Sequence, residues 1–293
     1  MIINYKVISK LKGLSYYLNQ IRNLTCNSAV YSADQVLTGE LDRFNGITVD
    51  STKFNCAKDN FNDTLQKSLK QWTEEQRKCI WFKIHIMHAD YVPLLAQKGF
   101  NFHHARDEYL MMYKWLPADI QPNLPPACHT NLGVGALVLN DRDQLLAVSE
   151  KNYNYPHWKL PGGYVERGED ITHAAKREVF EETGVKSEFE SLITFRHTHN
   201  MMYGNSDIYM LLMMKALSQD IILSQREVNA CKWMDVAEYT THPHVHDLNK
   251  YIVKEALRYK KENVALDIHK KTMVSPLGVR EINLMLLKNG RGK

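Results

Sequence analysis

The stretch that decides the fold is Gly163-Tyr-Val-Glu-Arg-Gly-Glu169-Asp-Ile-Thr-His-Ala-Ala-Lys-Arg177-Glu178-Val-Phe-Glu181-Glu182-Thr-Gly184-Val185. It predicts a loop, a helix over 171–183 and a stop. Asp170 stands where a side chain caps a helix N-terminus, and Gly184 where a left-handed residue ends one. Glu178, Glu181 and Glu182 are spaced i, i+3 and i+4, which puts three carboxylates on one helical face. Like charges so placed cost helix stability unless a cation joins them. A hard divalent cation suits oxygen ligands, and Mg²⁺ also accepts phosphate oxygens. Gly162 and Gly163 let the loop backbone come close to a ligand. Ala174 and Ala175, one turn before Glu178, leave room for one. Arg177 can pair with a carboxylate and hold its orientation. The plainer reading is a solvated acidic helix, which the loop, arginine and stop at these spacings disfavour.

Outward from this stretch the chain divides. Residues 1–38 form an N-terminal extension whose first 33 positions hold Lys6, Lys10, Lys12 and Arg22 and no acid. They lack the compact apolar core of a secretory signal and predict a mitochondrial transit peptide, with cytoplasmic or nuclear residence as the alternative. Residues 39–117 predict a small α+β domain, with helices over 61–76 and 90–98 and strands over 79–86, 100–105 and 109–116. Residues 118–130 predict a linker, because 117–126 hold four prolines, which fix φ and remove donors. Residues 131–262 form the second domain. A buried strand over 132–139 and its hairpin partner 144–149 precede the helix. Strands near 189–197 and 206–217 and a helix near 245–261 follow it. Residues 263–293 read as a basic tail, most simply a solvated helix, and otherwise an electrostatic aid to an anionic partner.

Composition excludes several classes. The net charge of +4 comes from basic ends around an acidic middle, so the pI of about 8.6 is no nucleic-acid signature. Five cysteines, odd in number and without a CxxC pair, argue against a disulfide or zinc framework and fit a reducing compartment. No apolar run approaches the ~18–20 residues that cross a bilayer, so no membrane association is expected. His242, His244 and His246 alternate as zinc ligands do, but Pro243 and the lack of partners favour a polar loop.

The 163–185 stretch resembles the box of the Nudix hydrolase family, G-x5-E-x7-R-E-U-x-E-E-x-G-U, at all nine constrained positions. Trp158 to Gly163, Ser206 to Leu212, Arg43 to Ile47 and Gly99 to Ala105 resemble a branch of the family in which a further module comes first. The resemblance implies an α+β chain: a Nudix α/β/α sandwich with a mixed sheet, preceded by a small acyltransferase-like α+β domain. It implies hydrolysis of a diphosphate linkage in a nucleoside diphosphate derivative of NADH, ADP-ribose, coenzyme A or capped-RNA type. Mg²⁺ or Mn²⁺ would be the cofactor, held by Glu178, Glu181, Glu182 and a carbonyl near Gly162. Glu169 would assist the cluster. Glu227, six residues before Trp233, stands where one branch places an extra ligand or base. Arg196, His199, Ser206 and Asp207 fall where relatives carry similar residues, and predict a substrate wall.

The accessory module is expected to dimerise or to shape the substrate pocket. The competing reading is a catalytically weak Nudix-fold protein with a regulatory or binding role, against which the complete set of box glutamates stands. Acyl transfer in the first module would want a glycine-rich loop before a helix, and IMHADYV at 86–92 offers none.

Overall fold

A computed structural model of the protein describes residues 36–54, 58–151, 154–224, 228–275 and 278–287. Glu227, and the predicted transit segment up to residue 35, lie outside the described residues. The chain forms two compact units that meet between Cys128 and His129.

The first unit is a five-stranded sheet in the order β1-β2-β3-β5-β4. Its strands are β1 (Glu40–Leu41), β2 (Ile47–Asp50), β3 (Cys79–His85), β4 (Asn101–Ala105) and β5 (Tyr109–Trp115). Helix α1 (Lys58–Glu74) links β2 to β3, which pair in parallel, the arrangement that needs a crossover. A second helix, α2 (Tyr91–Gln97), follows β3. Strand alternation sends Ile80, Phe82 and Ile84 into one core with Phe61, Leu65 and Trp72 of α1 and Leu95 of α2.

The same unit holds the proline-rich segment. The Trp115 indole N–H donates to the Ile120 carbonyl at 2.8 Å. His103 Nε2 lies 2.8 Å from the Pro125 carbonyl, which only accepts, so that nitrogen carries the proton. His103 Nδ1 must then accept from His104 Nδ1 at 2.6 Å, and His104 Nε2 accept from the Tyr109 hydroxyl at 3.3 Å. Residues of the predicted 118–130 linker are therefore bonded to the first unit as far as Pro125, and the next strand opens at Thr130.

The second unit is a mixed nine-stranded sheet in the order β12-β7-β6-β11-β10-β13-β14, with β8 beside β7 and β9 beside β6. The strands near the site are β6 (Thr130–Leu139), β7 (Gln144–Glu150), β8 (Trp158–Lys159), β9 (Gly162–Tyr164), β10 (Ser187–Thr198), β11 (Ser206–Ala216) and β12 (Val228–Asp235). Strands β6 and β11 pair in parallel; the other strand pairs are antiparallel. Helix α3 (Ile171–Thr183) covers one face, and α4 (Val236–Thr241) with α5 (Asp247–Lys261) covers the other. Val134, Ala136 and Val138 feed the α3 core, while Leu137 and Leu139 feed the other. A strand buried on both faces reads as an unbroken apolar run.

Two expectations are corrected. The basic tail is not a solvated helix. Strands β13 (Leu266–Ser275) and β14 (Gly278–Leu287) form a hairpin that extends the sheet, with Leu266 paired to Leu192 of β10. Leu266 and Ile268 alternate onto the α3 core, and this burial fixes the strand. Asp170 adopts the extended backbone of an N-cap, but its side chain makes no capping bond. Its carboxylate instead pairs with Lys270 and accepts from Asn283 Nδ2 at 2.9 Å, and both partners come from that hairpin. These two bonds hold it well below the usual aspartate range.

His242 Nδ1 accepts from the His244 amide, and His246 Nδ1 caps α5 through Leu248. The histidine triplet is loop and cap.

Candidate active site

Helix α3 stops as predicted: Gly184 has φ 72° and its amide donates to the Phe180 carbonyl at 2.8 Å. Its carboxylates then divide according to helical angle. Positions 178 and 182 lie about 40° apart around the axis and 181 and 182 about 100°. Glu182 turns inward, is 5% exposed, and accepts from the Gly162 amide at 3.0 Å. Glu178 lies against β9, where a Cβ on Gly163 would stand 2.6 Å from its carboxyl carbon. The side chain of Glu181 is half exposed.

Arg177 organises this cluster. Its Nε and Nη2 hold both oxygens of Glu169 at 2.9 Å. Nη1 donates to Glu178 at 2.7 Å and to Glu181 at 3.2 Å, and Nη2 reaches the Tyr164 carbonyl at 3.1 Å. Glu169 also accepts from the Glu166 amide, which closes the loop before the helix. The guanidinium holds the Glu169 carboxyl below the usual range, and the carboxylates push Arg177 up in return. Three of the four box glutamates thus converge on one arginine. Among the described residues no three Asp, Glu, His or Cys side chains are grouped to hold a metal.

The predicted substrate wall comes together at the ends of β10 and β11. Arg196 pairs with Asp207 at 3.4 Å, and His199 Nδ1 lies 3.1 Å from the Ser206 hydroxyl. The His197 ring lies 4.3 Å from that of His199.

Sequence reasoning missed Tyr209, which links the two groups. The Arg196 guanidinium lies 5.2 Å from its ring centroid, and Glu182 and Glu178 reach it electrostatically. Burial pushes its phenol far up, so it remains an O–H at neutral pH. The signal was a tyrosine in an apolar strand with the small residues Gly133 and Gly135 upstream. It becomes legible only once β6 and β11 are aligned. Cys231 on β12 is pushed up to about 12, first by burial and then by Glu182, and is an inert thiol. A groove of about 690 Å³ beside α5, lined by Phe189, Tyr259, Lys260 and Leu287, holds no box residue.

The family is settled by comparison. Residues 37–116 match the model of the Nudix hydrolase domain and residues 129–255 that of the NUDIX domain, and the chain belongs to the Nudix hydrolase family. It is 35% identical over 242 residues to Nudix hydrolase 8 of Arabidopsis thaliana, an overlap of 80% of this chain and 65% of that one. With Nudix hydrolase 2 of the same plant it shares 37% over 202 residues, 68% of this chain and 70% of that one. With nucleoside diphosphate-linked moiety X motif 6 of Homo sapiens it shares 38% over 208 residues, 68% and 65%. The chain thus spans just under two thirds of the length of the first and the last of these. Among solved structures it is similar to a NUDIX hydrolase from Nitrosomonas europaea, 25% identical, covering 45% of this chain and 90% of that one with a TM-score of 0.39.

Proposed function

We propose that the protein hydrolyses the diphosphate linkage of a nucleoside diphosphate derivative, with Mg²⁺ or Mn²⁺ as cofactor. The observation that carries this reading is the box itself. Glu178 and Glu182 flank the Gly162–Gly163 backbone, with Glu182 buried and Glu178 against a cradle that a Cβ would fill. Oxygen donors alone, partly shielded from water, fit a hard divalent cation. Glu178, Glu182 and a carbonyl near Gly162 would hold it, and Glu181, half exposed, has room to turn towards them. Once bound, the cation supplies positive charge to the phosphate oxygens and makes water a better nucleophile.

The chain's own groups do the rest. Water attacks one phosphorus, the bridging P–O bond breaks, and two phosphate esters leave. Glu227 is the candidate to take the proton of the attacking water. Arg196 and His199 present a cation and a ring nitrogen where a second phosphate would lie. Glu169 and Arg177 fix the loop and the orientation of Glu178. The names of the relatives support a nucleotide substrate. Capped RNA is a substrate variant of the same chemistry, and a homodimer through the first unit and mitochondrial residence belong to the same proposal.

One observation favours the competing reading of a Nudix-fold binding protein: Arg177 is already paired with three of the carboxylates. Purified protein should be incubated with Mg²⁺ or Mn²⁺ and NADH, ADP-ribose, coenzyme A, dinucleoside polyphosphates or capped RNA. At least one should be hydrolysed, and Glu182→Gln should lower that turnover about 100-fold or more with the fold intact. No turnover above the Glu182→Gln level on any of them would favour the binding reading.

A further inference from the structure

The box and the Arg196–Asp207 pair are bridged by one side chain. In the parallel register of β6 and β11, Tyr209 stands opposite Gly133, and its ring runs along β6 from there. A Cβ on Gly133 would lie 2.9 Å from Tyr209 Cδ2. One on Gly135 would lie 2.3 Å from Oη and 2.8 Å from Cε1 and Cζ. One on Gly162 would lie 2.9 Å from Oη. Three glycines on two strands therefore clear the space that this ring fills. Gly135 and Gly162 are paired across β6 and β9, and the Gly162 amide is the one that holds Glu182. The ring also carries the Arg196 guanidinium.

We infer that Tyr209 is a positioning residue of the site, its hydroxyl end backing the Gly162 strand that seats Glu182 and its ring seating Arg196. The inference rests on the proposed metal-dependent hydrolysis, because it assigns Glu182 to the cation and Arg196 to phosphate. A residue that merely filled the core would matter to stability alone. A positioning residue must also move the affinities at both ends of the site, and must do so in a way that relieving the clash reverses.

The test is isothermal titration of the full chain with Mn²⁺ alone, and with ADP as a diphosphate probe in the presence of Mn²⁺. Gly135→Ala forces the ring tip away and should weaken Mn²⁺ about tenfold, the scale of a lost supporting contact in a metal site. Adding Tyr209→Phe removes the atom met at 2.3 Å but leaves Cε1 and Cζ at 2.8 Å, so it should recover only part of that loss. Tyr209→Leu, which removes the ring, should weaken Mn²⁺ about tenfold and ADP about threefold.

Folding is checked by thermal melting. If Gly135→Ala is insoluble, Gly133→Ala, which meets the ring at 2.9 Å, replaces it. Glycine and Leu variants that fold and bind both probes like the parent, while Glu182→Gln loses Mn²⁺, would overturn the role of Tyr209 and leave the metal site standing. A parent chain that binds no Mn²⁺ would instead overturn the proposed function, and this inference with it.

Discussion

Two neighbouring glycines of β9 should fail in different ways when each is replaced by alanine. At Gly162 the new methyl would stand 2.1 Å from the Val134 carbonyl oxygen and 2.7 Å from the Gly135 Cα, both backbone atoms, at a φ of 155°. Neither neighbour can yield without opening the β6–β9 pairing. Backbone strain of about 1–3 kcal/mol and overpacking of about the same size add to roughly 2–6 kcal/mol. That is a large part of the ~5–15 kcal/mol that holds a domain together. At Gly163 the atoms nearest the new methyl are those of the Glu178 carboxyl group, which must retreat from 2.6 Å to at least 3.4 Å. A side chain can make that move, though it loosens the 2.7 Å bond to Arg177. Gly163→Ala should therefore stay within about 1 kcal/mol of the parent in stability, yet lose about 10–100-fold in turnover, because a shift of about 1 Å at a reacting group costs on that order. Urea unfolding followed by tryptophan fluorescence gives the first quantity. Hydrolysis of the best substrate at saturating Mg²⁺ gives the second. Equal destabilisation by the two variants, or full turnover in Gly163→Ala, would refute the reasoning.

Three further outcomes are expected. Glu227→Gln should lower the maximal rate about 100-fold while changing Mn²⁺ affinity far less than Glu182→Gln does, and recovery of the rate by excess Mn²⁺ would make Glu227 a ligand rather than a base. A fluorescent fusion of residues 1–38 should collect in mitochondria of a eukaryotic cell, and diffuse cytosolic signal would remove that address. Burial, then Arg106 and His103, holds His104 below the ordinary histidine value of about 6.5, so the fold favours the neutral ring. Protonation then opposes folding, and stability is full above pH 6.5 and falls as the pH drops below it. The first unit should melt lower at pH 5.5 than at pH 7.5, and His104→Gln should flatten that slope; an unchanged slope would exclude the His103–His104 chain as its source.

What the sequence disclosed follows physical range. The box helix was legible because its signals are local: periodic apolar residues, an arginine one position before Glu178, and a glycine that must turn left-handed at its end. The central strands were legible because burial on both faces leaves unbroken apolar runs, as at Leu132 to Leu139. The hairpin over 266–287 was not, since only Leu266 and Ile268 pack against the core and most of its other apolar residues, such as Val274, Val279 and Leu287, are exposed. Asp170 was misread for a related reason. Its local position offers a cap, but partners from the far end of the chain take the carboxylate. Nor could spacing alone say that Glu181 faces water and Arg177 while Glu182 faces Gly162, because the loop that chooses between them is set by β6. Tyr209 belongs with these: its meaning lies in a parallel register that no window along one strand contains.

The pairing of Asp170 with the hairpin has a consequence for the order of events in making the protein. Its partners Lys270 and Asn283 stand 100 and 113 positions downstream. A chain emerging from the ribosome therefore completes the whole box before either partner exists. During that interval the carboxylate has only local donors, and the free amides of the first turn of α3 are the nearest of them. The mature arrangement replaces this short-range cap by a long-range clasp, exchanging a contact that forms early for one with a large loop to close. Hydrogen exchange at the first-turn amides would record the exchange. In a chain ending at residue 262 they should be the better protected, and in the full-length protein the clasp should hold the loop while those amides open more freely to water.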